Sequence, residues 1–302
     1  MAVRSALAEP ETGEVIVIDD CSTDATVDTA RAAGGDDSRL SVLVQDANRG
    51  PAAARNRAID LATMPFVAVL DSDDRFMSGR MSRLFSKCDW DFCADNIAFT
   101  SDRAVFDAME APDDLSGRTG ILDLETFFLG NHNSSTADRN ELGFLKPIMR
   151  RDFLDRHGLR YPANCRLGED FLLYGRALVL GARFRIFEDC GYAAFERPDS
   201  LSGKHGVDDL QSFLHGLEML APDIPGSAIG SFEALERTLK RKIDHRTVLD
   251  IRRSKGLVHG VLALASRRTA IADILRDKLK TRTFAPDRRV LMSAREFDRI
   301  AE

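Results

Sequence analysis

The apolar positions of this chain come in short bursts set between turn-forming and acidic residues. Glu14-Val15-Ile16-Val17-Ile18 is the first, a β-branched run that stops at Asp19-Asp20. A run of this kind predicts a buried strand. Ser22, Thr23 and Asp24 then offer capping side chains, and 25–33 reads as a helix ended by Gly34-Gly35. The same grammar returns twice. Residues 41–44 read as a strand, Pro51 suits a first helical position, and 52–62 follows as a helix that Pro65 ends. Phe66-Val67-Ala68-Val69-Leu70 is a third strand running into Asp71-Ser72-Asp73-Asp74, with a helix over 77–87. Strand and helix in alternation predict an α/β fold, a mostly parallel sheet with right-handed crossovers and helices on its faces. Ligands of such sheets bind beyond the carboxyl ends of the strands, where both acidic clusters fall.

Beyond residue 90 the pattern changes. Residues 90–100 and 103–107 read as extended, 122–129 as a helix, 145–149 as a strand and 151–157 as a short helix. A helix over 171–180 is opened by Gly168-Glu169-Asp170, and strands follow at 184–188 and 192–195. Past Phe232 the chain reads as helical. Leu235, Leu239, Ile243 and Ile251 form one stripe, and Ile271, Ile274, Leu275 and Leu279 another.

Composition narrows the class. In 302 residues, 44% are hydrophobic and 30% charged, enough apolar content for one large domain or two modest ones and too much for a disordered chain. The longest apolar run, 256–265, is too short to cross a bilayer and contains His259. The first twenty residues lack the order of a secretory signal. Five cysteines without metal-like spacing read as reduced thiols of a cytoplasmic protein.

Charge is uneven. The net charge is −6, yet residues 236–302 hold 18 Lys/Arg against 9 Asp/Glu. That imbalance points either to an anionic partner or to a solvated basic helical face. Nucleic acid is disfavoured, because no aromatic residues interleave the basic ones and no nucleic-acid motif occurs. The inner face of a membrane suits better, each nearby Lys or Arg adding ~1 kcal/mol of attraction.

Five clusters can carry chemistry. Asp71, Asp73 and Asp74 crowd three carboxylates at a strand end, where a divalent cation with a diphosphate relieves their repulsion; the plain alternative is an acidic turn capping the next helix. Asp20 can bond a nucleobase or ribose edge, or serve the turn. Asn48-Arg49-Gly50-Pro51, leading to Arg55, is a glycine turn into a helix, a place where backbone N–H groups meet anions. Glu169-Asp170 sit at a helix start, where carboxylates are favoured by the macrodipole and can accept a proton from a hydroxyl; a simple cap is the alternative. Arg197-Pro198-Asp199-Ser200-Leu201-Ser202 offers a cation and hydroxyls to phosphate.

In order along the chain, EVIVIDDCSTDAT (14–26), NRGPAAARN (48–56), FVAVLDSDDRF (66–76), LGEDF (167–171) and RPDSLS (197–202) resemble the family 2 glycosyltransferases of GT-A fold, above all bacterial exopolysaccharide enzymes of the succinoglycan type. The resemblance spans about residues 2–205. It implies a glycosyltransferase domain over 1–205, with a nucleotide-binding half (1–100) and an acceptor half (101–205), followed by a basic helical region over 206–302. It implies inverting transfer of a hexose, glucose first, from a UDP-sugar to a lipid-linked or oligosaccharide acceptor, with Mn²⁺ or Mg²⁺. On that pattern Asp20 meets the base and Arg55 belongs to the donor site. Asp71 and Asp73 form the DxD pair, Asp73 being the more direct metal ligand with Asp74 beside it. Asp170 is the general base, supported by Glu169, and Arg197 with Ser200 closes over the diphosphate. The enzyme is expected to be cytoplasmic, peripheral on the membrane through its basic helices.

One departure stands out. The family opens with a strand of the VSVIIPxYN kind, whereas Met1 to Leu7 already reads as the helix after it. A sheet lacking that strand is expected to bind donor weakly. Three other readings stay open: a haloacid-dehalogenase-like phosphatase using Asp71 and Asp73, a nucleotidyltransferase, and a degenerate glycosyltransferase-like scaffold that only binds.

Overall fold

The computed structural model describes residues 1–112, 116–131, 141–197, 206–267 and 289–301. Helix α1 (Ala2–Ala8) leads into β1 (Val15–Asp19), α2 (Thr26–Gly34), β2 (Leu40–Val44), α3 (Pro51–Leu61) and β3 (Phe66–Ala68). Next come β4 (Arg75–Phe76), α4 (Arg80–Phe85), β5 (Phe92–Thr100), α5 (Arg103–Ala108), β6 (Thr119–Leu122) and α6 (Leu124–Gly130). Then follow β7 (Ile148–Arg150), α7 (Arg151–Arg156), α8 (Glu169–Val179) and β8 (Phe184–Phe195). The chain closes with α9 (Val207–Glu218), α10 (Ile229–Lys255), α11 (Leu257–Ser266), β9 (Arg289–Val290) and α12 (Ala294–Phe297).

The class is α/β with helices flanking the strands, as expected. The longest ladders are parallel: β1 with β2, and β5 with β8 from Phe92 opposite Phe184 to Thr100 opposite Phe195. β1 and β2 pair only with each other among the described residues. The larger sheet runs β3-β7-β5-β8-β4, with β6 on β8 and β9 on β5, and these shorter pairings are antiparallel.

Several expectations are corrected. Residues 103–107 form a helix, because Asp102 accepts from the N–H groups of Ala104 and Val105 and caps it. The two strands expected at 184–188 and 192–195 are one, β8, carried across residues 188–191 by a register shift opposite Asp95 and Asn96. The strand expected over 66–70 stops at Ala68, and the helix expected over 77–87 is confined to Arg80–Phe85. The stripe at 271–279 lies outside the described residues.

β5 is buried along its whole length even though it carries Asp95 and Asn96. Both polar side chains are spent inside. Asn96 donates to the Met292 carbonyl (2.8 Å) and accepts from its N–H (2.9 Å), pinning the C-terminal segment to the sheet. Asp95 accepts from the fully buried Arg80 at 2.8 and 2.9 Å. Arg80 also donates to the carbonyl of Lys146 (2.6 Å) and lies over the rings of Phe76 and Tyr192. A charge buried this deeply needs close partners; Nε and Nη2 have them while Nη1 has none, and the bond to the Lys146 carbonyl fixes the backbone at residue 146. The C-terminal helices join the same core through Leu217, Phe232, Leu235 and Leu239. Phe232 meets Phe128 of α6 edge-on, ring centres 5.5 Å apart.

Candidate active site

The ends of β1 and β3 and the starts of α3 and α8 converge. α3 is opened by Gly50, whose φ of 84° leads into Pro51. One turn on, Arg55 points out of the helix, its guanidinium over the Tyr161 ring. Asn56 beside it exchanges two hydrogen bonds of 2.8 Å with the backbone of Tyr161, locking the helix to that segment. α8 is opened by Gly168 at φ 77°, a left-handed conformation where any Cβ would also lie 2.7 Å from the Phe213 ring. That turn presents Glu169 and Asp170 toward α3.

Arg55 is the hub. Nη1 donates to Glu169 Oε1 (2.9 Å) and lies 3.5 Å from Asp170 Oδ1, while Nη2 donates to Asp71 Oδ1 (2.8 Å). A second cation, Lys146, is buried on the other side. Its Nζ donates to Asp170 Oδ2 at 2.7 Å and stands 3.2 Å from Asp71 Oδ2. Three carboxylates face two cations, leaving one formal negative charge, with all five side chains largely withdrawn from solvent except that of Asp71, which is 31% exposed. Burial works against the charge of Asp71, yet Lys146 and Arg55 outweigh it and hold that carboxyl well below the usual range. For the same reason Lys146 is raised despite its burial, by Asp170 and Asp71. Glu169 is pushed upward, first by burial and then by the neighbouring Asp170 charge.

Asp74, expected as a third metal ligand, is instead committed inward. Its oxygens accept from the Tyr192 hydroxyl (2.8 Å) and the Phe195 N–H (2.9 Å), and burial with the Asp71 charge pushes it up to about 7. The same Tyr192 oxygen accepts from the Asp71 N–H at 3.1 Å, so this bond pair shapes the whole 71–74 turn. Asp73 faces outward and is paired with Arg197 at 3.0 Å. Ser200 lies outside the described residues. Among the described residues no three carboxylate, imidazole or thiol side chains gather into a protein-only metal cage. Asp73, with Asp71 behind it, fits the one or two carboxylates that Mg²⁺ or Mn²⁺ takes when phosphate oxygens complete its shell.

At the end of β1 the two aspartates divide the work differently from expectation. Asp20 is spent on the 48–50 loop: Oδ1 accepts from Gln45 Nε2 (2.6 Å) and the Arg49 N–H (2.7 Å), and Oδ2 from the Gly50 N–H (2.7 Å). Asp19, one residue earlier, is buried; its Oδ2 accepts from the Ser22 N–H at 3.0 Å, while its Oδ1 has no hydrogen-bond partner. An orphaned buried acceptor is costly and marks a place for a donor group.

The sequence reading thus missed Lys146 and Asp19. A lysine in the apolar stretch Phe144-Leu145-Lys146-Pro147-Ile148 was the available signal, since lysine is seldom buried without a charged partner. Asp19 carried none beyond its place beside Asp20.

The family described as Glycosyl transferase family 2 matches residues 2–116. The chain is 45% identical over 257 residues to the succinoglycan biosynthesis protein ExoU of Rhizobium meliloti, covering 84% of this chain and 75% of that protein. Among solved structures it is similar in fold to S. aureus TarS 1–349 in complex with UDP-GlcNAc, with a TM-score of 0.56, 18% identity, and 95% and 90% of the two chains covered. It is also similar to the mannosyltransferase PcManGT from Pyrobaculum calidifontis in complex with GDP-Man and Mn²⁺, with a TM-score of 0.52, 17% identity, and 91% and 73% covered.

Proposed function

The chain belongs to the family 2 glycosyltransferases, and from that premise we propose that it moves a hexose, glucose first, from a UDP-sugar to a hydroxyl of a lipid-linked or oligosaccharide acceptor in the synthesis of a succinoglycan-type exopolysaccharide. The kinship with ExoU supports the choice of polymer. The single observation that carries the mechanism is the pair of contacts made by Lys146, 2.7 Å to Asp170 and 3.2 Å to Asp71. They support a proton acceptor at 170 next to the acidic corner at 71–73.

The acceptor hydroxyl gives its proton to Asp170. Oδ1 is the oxygen assigned to it, since Oδ2 is taken by Lys146 at 2.7 Å and, among the described residues, Oδ1 meets the more distant Arg55 at 3.5 Å. The freed oxygen attacks the anomeric carbon on the face opposite the diphosphate; the old carbon–oxygen bond breaks, and its electron pair leaves with UDP, so the anomeric configuration inverts. A bound Mn²⁺ or Mg²⁺ supplies charge neutralisation at the diphosphate. Asp73 is the residue to hold it, with Asp71 behind and Arg197 at hand for the leaving group. The orphaned Asp19 Oδ1 suits the imide N–H of uracil, and Asp20 acts through the 48–50 backbone. The basic C-terminal helices favour work at an anionic membrane surface, on an acceptor carried there.

The phosphatase reading fares worse. It needs Asp71 as a free nucleophile, and both Asp71 oxygens face cations. A UDP-release assay with Mn²⁺ across a panel of UDP-sugars tests the proposal. Asp170→Asn should lower turnover by about 10²–10⁴-fold while leaving UDP binding intact. Turnover near wild type in that variant removes the assigned base.

A further inference from the structure

The described C-terminal helices end in a hairpin with an unbalanced surface. α10 stops at Lys255, Gly256 turns the chain at φ 87°, and α11 returns along the last turns of α10. The seam is close: a Cβ on Gly260 would lie 2.8 Å from the Cβ of Arg252. Ala263 and Leu264 of α11 fill it together with Val248 and Ile251 of α10, a small cluster apart from the main core. Among the described residues, contacts use one side of α11. The other bears Leu257, Val258, Val261 and Leu262, exposed at 65, 70, 57 and 64%. With the exposed Ala265 they span about 140° of a helix that turns about 100° per residue. A contiguous apolar face of this kind marks an interaction surface, unlike singly scattered apolar residues.

Charge indicates what covers it. Arg252, Arg253 and Lys255 are exposed in the last turn of α10, next to the Gly256 bend, and Arg267 follows α11. Asp250 and Asp244 lie near Arg253 and Arg267, and the balance at this tip stays positive. Two copies meeting through this face would set arginines and lysines against their like. A bilayer of anionic lipids offers the opposite charge and an apolar interior together. α11 is about 15 Å long, and no described helix is long and apolar enough to cross a membrane, so the fitting pose is flat.

We infer that α11 is an interfacial anchor whose Leu257, Val258, Val261 and Leu262 enter the headgroup–acyl boundary of an anionic bilayer, while Arg252, Arg253 and Lys255 meet lipid phosphates. The inference deepens the membrane-side reading above and rests on it for its purpose; its test reads lipid binding, so sugar transfer can succeed or fail separately.

The full chain is sedimented with vesicles of phosphatidylglycerol and phosphatidylcholine, and with phosphatidylcholine alone, at low salt and at about 0.5 M salt, where screening removes most surface attraction. Wild type should bind the anionic vesicles and retain part of that binding in high salt. Leu257→Asp with Leu262→Asp should lose at least about tenfold, with an unchanged circular dichroism spectrum. Val258→Trp gives an independent readout, because the single native tryptophan, Trp90, is buried: its emission should shift to the blue and be quenched by brominated lipid. The anchor is overturned if wild type ignores anionic vesicles, if the double aspartate variant binds as wild type does, or if the tryptophan stays unquenched. Binding abolished by salt also overturns insertion, leaving only electrostatic attachment. So does a concentration-dependent dimer that the aspartates dissolve while vesicles have no effect.

Discussion

The Nζ of Lys146 lies 2.7 Å from Oδ2 of Asp170 and carries that carboxylate to within one side chain of Asp71, to which the same Nζ stands at 3.2 Å. The lysine is buried, and its own backbone carbonyl is gripped by Arg80. Lys146→Met should therefore leave the buried Asp170 and the half-buried Asp71 short of a counter-charge and cost about 3–5 kcal/mol of stability. It should also let the Asp71 carboxyl rise, because Lys146 is the first of the two cations that hold it down. Thermal melts read the stability loss, and kcat measured well below the melting temperature reads the effect on turnover. A merely structural lysine would change the melt and leave turnover of the folded enzyme in place.

Asp73 and Asp74 are neighbours with opposite fates. Asp73→Ala should weaken UDP binding in the presence of Mn²⁺ and lose little in its absence, so calorimetry with and without EDTA should show the metal-dependent increment disappear. Asp74→Ala should act on the fold instead, by leaving the Tyr192 hydroxyl and Phe195 N–H without their acceptor, a loss of about 1–3 kcal/mol per buried group. Equal loss of metal-dependent binding in both variants would contradict the division.

Asp19 and Asp20 should likewise separate. Asp19→Ala removes an acceptor that has no partner in the protein on one oxygen, so UDP affinity should fall by about tenfold with modest change in stability. Asp20→Ala frees the N–H groups of Arg49 and Gly50 and should lower the melting temperature as well as donor affinity. Binding of UDP measured beside thermal melts checks both.

Acid should loosen the N-terminal corner. Asp37 is held down to about 2 by hydrogen bonds from the Arg39 side chain and backbone. Arg39 in turn donates to the carbonyls of Thr12 (3.0 Å) and Leu7 (2.8 Å), tying the end of α1 to the start of β2. A carboxyl whose folded value lies below its unfolded one, near 3.8, contributes stability that is full above that value and lost as the pH falls toward 2. The melting temperatures of wild type and Asp37→Asn should differ at pH 6 and converge by about pH 2.

Local elements and the chemistry of single clusters were legible in the residues alone. β-branched runs closed by acidic turns produced β1 and β2 close to their expected bounds, and Pro51 and Gly168 opened α3 and α8, because those signals act within a few residues. The sequence also set Asp71, Asp73 and Glu169-Asp170 apart as candidates, although helix capping accounted for each of them equally well on local grounds. Tertiary structure alone decided which oxygens remain free. Tyr192 and Phe195 claim Asp74 from more than a hundred residues away, the 48–50 loop claims Asp20, and Lys146 arrives between Asp71 and Asp170 from the segment just before β7. Hydrogen bonds and charge pairs reach only about 3–4 Å, so partners far apart along the chain become known only when folding brings them together.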